Sequence, residues 1–179
     1  MILYVNGDSH TAAAEAANPH AFAEDDGDLF YMGRAPHPAN LAISWGKILS
    51  NALRSSFYCG AESASSNVRI LRTTREWIEH TPVNQDLLVI IQWSTWEREE
   101  WLHNGNYYDV NAGGHDILPT ELKDQYKDWV VQQNDDMRIF KSAGLQEKIF
   151  KLHQELCDLK VKHLFFNALM PFLHHTKVA

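Results

Sequence analysis

The chain has 179 residues, of which 45% are hydrophobic and 22% charged, with nine Gly and six Pro. That composition excludes a disordered, collagen-like or repeat-built protein, and the length suits one domain, residues 1–179, with its own core. A net charge of -7 with His neutral argues against a whole-surface nucleic-acid binder. Residues 2–5 form an apolar run that stops at Asn6-Gly7-Asp8-Ser9, a cluster of turn formers, as a central parallel strand would. Residues 18–38 are rich in Pro, Asp, Gly and His and read as a long loop. Pro38 opens a predicted helix to about residue 54, with Leu41, Trp45, Ile48, Leu49 and Ala52 on one face.

Residues 56–59 read as a second, weaker strand, followed by the small-residue loop 60–66. The spacing of Val68, Leu71, Arg75 and Ile78 predicts a helix over 67–80, closed by His80, where a cation suits the dipole. Residues 87–91, Leu-Leu-Val-Ile-Ile, are the clearest buried strand, ending at Gln92-Trp93-Ser94-Thr95. Glu97-Arg98-Glu99-Glu100 reads as a solvated helix turn, with Arg98 alternatively facing the crevice to bind a carboxylate or hold the Ser94 loop. Residues 103–118 read as irregular. Pro119 starts a helix to about 133, and a longer one follows to about 159, with Leu145, Ile149, Leu152, Leu156 and Leu159 in one stripe. Residues 161–169 are the last predicted strand.

Alternating strands and helices imply an α/β fold with a short parallel sheet covered on both faces, and a site at the carboxyl ends of its strands. Three such ends carry chemistry: residues 7–10, 60–66 and 92–95. A Ser on a tight strand-to-helix turn projects its hydroxyl into the crevice, and backbone N–H groups there can hold an oxyanion. Asp8 can hold that turn through side-chain-to-backbone bonds.

The segment Val5-Asn6-Gly7-Asp8-Ser9-His10-Thr11 after the first strand resembles block I of the SGNH, or GDSL, hydrolase family. The resemblance implies a three-layer flavodoxin-like fold and a serine ester hydrolase acting on a small acyl ester or acetylated carbohydrate. It makes Ser9 the nucleophile and one oxyanion donor. The family's second donor is a Gly after the second strand, a place that Ala64 occupies better than Gly60. Its third is an Asn after the third strand, where Ser94 stands. The family's late Asp-x-x-His is not found. His174 and His175, in the tail, are the candidate bases, and the chain reads as a C-terminally incomplete or degenerate member unless one of them folds back toward Ser9.

Other readings compete. Without a base the same fold would be a catalytically impaired binding or assembly protein, for instance in a phage. Asp8-Ser9-His10 also resembles the Asp-x-His of calcineurin-like metallophosphoesterases, but the further Gly-Asp and Gly-Asn-His strand ends of that family are missing. Trp93, Trp96 and Trp101 either line a substrate pocket or pack beneath a loop, whereas Trp45 and Trp129 read as core. Glu62 is equally open between crevice and surface. His153 and His163 fall in a helix and a strand with no partner at ligand spacing, so no metal and no cofactor are expected. Cys59 and Cys157 read as small buried residues in a reducing compartment. With no signal-like or membrane-spanning run, the expectation is a soluble cytoplasmic protein whose partner is a small-molecule ester rather than nucleic acid or membrane.

Overall fold

Four of the apolar runs pair side by side into one parallel sheet in a computed structural model that describes residues 1–14, 16, 36, 38–82, 86–114 and 118–167. The strands are β1 (Ile2–Asn6), β2 (Ser56–Cys59), β3 (Leu87–Trp93) and β6 (Lys162–Asn167), in the order β2-β1-β3-β6. Between them lie α1 (Ser9–Ala12), α2 (Pro38–Ala42), α3 (Trp45–Leu53), α4 (Asn67–Glu79), α5 (Lys123–Val131) and α6 (Asp135–Asp158). Register runs Tyr4 beside Tyr58 on one side and Val89 on the other, and Val89 beside His163.

Alternation along the strands sorts the two faces. Tyr4, Val89, Ile91 and Trp93 point to the face covered by α4 and α6, where Ile70, Leu71, Ile149, Leu152 and Leu156 complete the main core. Leu3, Val5 and Ile90 point to the other face, against Trp45 and Leu49 of α3. Helices thus flank the sheet on both sides, as the alternation predicts. The helix starts are set by side-chain caps: Ser44, Ser66 and Asn134 accept the backbone N–H of Lys47, Arg69 and Met137.

Several expectations are corrected. The single helix over 38–54 is two, because the Ser44 cap restarts the chain at Trp45. Ile48 on its expected apolar face is exposed, as is Leu159 at the end of the α6 stripe. Residues 97–100 are not a helix turn, and 103–118 are not wholly irregular. Instead β4 (Glu99–His103) and β5 (Asn106–Val110) form an antiparallel hairpin. Its turn is Asn104-Gly105, with φ of 49° and 79°, the left-handed pair that a two-residue hairpin turn requires. The hairpin and α5 share a smaller core of Val110, Leu118, Leu122, Tyr126 and Trp129. Cys157 is exposed rather than buried, because it lies off the α6 stripe, and Cys59 is partly buried. Among the described residues no helix is long and apolar enough to cross a membrane.

Candidate active site

The turn after β1 is built inward from Asn6. Its fully buried side chain accepts the Gly7 N–H at 2.8 Å and reaches the Thr73 and Thr74 hydroxyls of α4 at 2.9 Å. Gly7 is required by close approach: a Cβ there would lie 2.6 Å from Thr11 Oγ1 and 2.9 Å from Thr11 Cβ. The chain then turns at Asp8, which caps α1 by accepting the His10 N–H at 3.0 Å.

Asp8 is the hub of the strand ends. Its side chain is wholly buried, and both carboxylate oxygens are occupied. Oδ1 accepts from Gln92 Nε2 at 2.7 Å and lies 3.1 Å from His10 Nδ1; Oδ2 accepts from Ser94 Oγ at 3.0 Å and Arg98 Nη1 at 3.1 Å. Gln92 in turn accepts the Thr11 hydroxyl at 2.5 Å. Burial alone would push the Asp8 carboxyl up. The hydrogen bonds from the His10 backbone, Gln92, the His10 ring and Ser94 outweigh it and hold the group below the ordinary carboxylate range.

Asp8 therefore stays ionised and orients its neighbours. The His10 ring, 60% exposed, offers Nδ1 to Asp8, and Nε2 has no partner among the described residues. An imidazole held by a carboxylate at one nitrogen can act as a general base toward a proton brought within reach of the other. Ser9, half-buried at the first position of α1, is different: among the described residues neither its hydroxyl nor its N–H has a hydrogen-bond partner.

The loop after β2 is shaped by Arg69, a buried residue of α4. Its guanidinium binds Gly60 O and Ser65 Oγ, each at 3.1 Å, and the Glu62 carboxylate at 2.6 Å. Gly60 spends its N–H on Val5 O at 2.9 Å, as a continuation of the sheet. Ala64 instead takes a left-handed φ of 64°, and its N–H has no partner among the described residues. Of the two positions weighed for an oxyanion donor, Ala64 is thus the one with an N–H to give. Ser94 is committed elsewhere: its hydroxyl donates to Asp8 and accepts from Arg98 at 3.0 Å. Asn67 fastens the same loop to α4, accepting the Ser94 N–H at 2.7 Å and donating to Ser94 O at 2.8 Å.

These strand ends open into a cleft of about 1340 Å³. Ser9, His10, Ala64 and Arg98 line one side, and Tyr107, Tyr108 and Asp109 of the hairpin line the other. Arg72 bridges the two walls, paired with Glu100 at 2.5 Å and stacked 3.9 Å over the Tyr107 ring. Asp109 Oδ1 is buried and has no hydrogen-bond partner among the described residues. Burial, with the nearby Glu100 and Glu62 charges adding and Arg69 opposing, pushes its carboxyl up to about 7.

The tryptophans do not line this cleft. Trp93 is in the main core, edge-on to Phe165, so it belongs to the packing. Trp96 lies beneath the Lys141 ammonium at 6.0 Å, and Trp101 packs edge-on against Trp129. His174 and His175 lie outside the described residues. Sequence reasoning missed Gln92, Arg69, Asn67 and Asp109 as site residues. Only Gln92 carried a signal, as a polar residue closing an otherwise apolar strand.

No family model, no curated protein and no solved structure matches this chain.

Proposed function

We propose that the chain is a serine ester hydrolase of the SGNH type, acting on a small acyl ester or acetylated carbohydrate, with Ser9 as nucleophile. One observation carries this reading. The hydroxyl and N–H of Ser9 share a cleft with the N–H of Ala64 at the carboxyl ends of the strands, and none of the three has a partner among the described residues. The strand order supports it, since β2-β1-β3-β6 is the start of a flavodoxin-like order, and the cleft opens at the β1/β3 switch point of that topology.

In this mechanism Ser9 Oγ attacks the ester carbonyl carbon and its proton passes to an imidazole. The carbonyl oxygen becomes an oxyanion held by the N–H groups of Ser9 and Ala64. The imidazolium returns the proton to the departing alkoxide, and water then cleaves the acyl-enzyme by the same route. Asp8 does not react. It holds His10 and, through Arg98 and Ser94, the loop after β3. His10 is the described imidazole that lines the same cleft as Ser9; His174 and His175 are the alternatives.

Labelling with a fluorophosphonate probe, read by intact mass, tests the reading. A stoichiometric adduct on the wild type that Ser9→Ala abolishes is expected. Comparing His10→Ala with His174→Ala and His175→Ala then identifies the base by which replacement slows labelling. Absence of an adduct on folded wild-type protein would sink the hydrolase reading. The second reading, a binding or assembly protein of the same fold, is favoured by the His10 ring, which among the described residues bonds to Asp8 and not to the Ser9 hydroxyl.

A further inference from the structure

The expectation that His153 and His163 have no partner at ligand spacing is overturned by the fold. His153 and Cys157 are one turn apart on α6, and pairing of β6 with β3 brings His163 up beside them. One ligand atom from each of the three lies within 4.8 Å of the others. Cys157 Sγ is 3.8 Å from His153 Nε2, and His153 Nδ1 is 2.7 Å from His163 Nε2. We propose that His153, Cys157 and His163 form a three-ligand site for a divalent cation of the zinc type.

The protonation pattern favours it. His163 Nδ1 lies 2.8 Å from the Val161 carbonyl, which can only accept, so Nδ1 carries the proton and Nε2 the lone pair. That lone pair accepts a hydrogen bond from His153 Nδ1–H, so His153 Nε2 is the unprotonated nitrogen that faces the thiol. Both Nε2 atoms are therefore ready donors, and the backbone contact of His163 is the outer support that metal-binding imidazoles use. Cation entry breaks the imidazole–imidazole hydrogen bond, forms two metal–nitrogen bonds and one metal–sulfur bond, and releases one proton from Cys157 to solvent. Bond lengths of about 2.0 Å to nitrogen and 2.3 Å to sulfur at tetrahedral angles need ligand atoms roughly 3.3–3.6 Å apart, a small turn of the exposed His153 ring from the present spacing. One thiolate with two imidazoles suits Zn(II) or Co(II) and disfavours Mg(II) and Ca(II), which take oxygen ligands.

The site is remote from the cleft. His163 pairs with Val89 in mid-sheet, whereas the cleft opens past Trp93. A cation here would tie the last turns of α6 to the edge strand β6, so its effect is on stability rather than turnover. The test uses Co(II) added to the chelator-treated 179-residue chain. One equivalent is expected to give a thiolate-to-cobalt charge-transfer absorption in the near ultraviolet, displaced by Zn(II). Cys157→Ser should abolish that absorption. His163→Ala should weaken binding by more than the roughly 10–100-fold that loss of an outer support costs. Zn(II) should raise the melting temperature of the wild type and leave that of Cys157→Ser unchanged, with circular dichroism confirming that both variants fold. No charge-transfer absorption in the wild type, or undiminished binding in both variants, overturns the proposal.

Discussion

Gln92 and Asp8, 84 positions apart in sequence, share a 2.7 Å hydrogen bond that joins the ends of β3 and β1. The same carboxylate receives Arg98 and Ser94, so the cleft floor depends on one buried charge. Asp8→Ala leaves the Arg98 charge and the Gln92 amide without their acceptor and should lower the unfolding free energy by about 3–5 kcal/mol. Asp8→Asn, which keeps an acceptor, should cost less. Because folding holds this carboxyl low, its stabilisation is present above the unfolded carboxylate range and is lost as pH falls through the folded value. Urea unfolding should therefore show the gap between wild type and Asp8→Asn closing in acid. An unchanged gap would contradict the assignment.

Ala64 carries a side chain at φ 64°, where such a residue costs roughly 1–2 kcal/mol. Glycine removes that cost but adds about 0.4–1 kcal/mol of chain entropy to the unfolded state. Ala64→Gly should therefore stabilise slightly, by up to about 1.5 kcal/mol. Thermal melting checks the sign, and a lower melting point would show that the loop draws on the Ala64 methyl.

Asp109 supplies the opposite pH dependence to Asp8. Its folded value near 7 lies above the ordinary one, so between about pH 4 and 7 the folded chain keeps a proton that the unfolded chain has lost. Wild-type stability from this group is full below that window and falls as pH rises through it. Asp109→Asn removes the effect. Its stability relative to wild type should improve from pH 4 to pH 8, on the order of 1–4 kcal/mol, in paired unfolding curves. Parallel curves for the two proteins would show that Asp109 ionises freely.

The central strands β1 and β3 were legible because each is an apolar run buried on both faces, and the outer strands β2 and β6, which expose alternate residues, were legible from shorter runs beside turn formers. The hairpin was not, because Trp101, Leu102, Tyr107 and Tyr108 are interleaved with Glu, His, Asn and Asp and lack a run. Its one clear sign, Asn104-Gly105, sits in a stretch whose Gly, Asn, His and Tyr composition is that of a loop. At the cleft, Gly7-Asp8-Ser9 stood out because local turn chemistry determines it. Arg98 was legible too, as an arginine able to bind a carboxylate or hold the Ser94 loop, and it does both; that the carboxylate is Asp8, and that Gln92 joins it, follows only when the sheet is assembled. His153 and Cys157 are four apart and share a helix face in any reading; His163 joins them by strand pairing alone, which no spacing rule reports.

The hairpin keeps its apolar contacts with α5 in a core separate from that of the sheet, and meets α4 through the Arg72–Glu100 pair. The two sides of the cleft thus differ in how freely they can diverge. Substitutions at the β1 and β3 ends disturb a buried network on which the whole sheet leans, whereas exchanges at the hairpin positions Tyr107 and Tyr108 leave that network intact. In the hydrolase proposed above, the hairpin side of the cleft could therefore change while the Asp8 side stays constant, which would separate substrate preference from the stability of the scaffold.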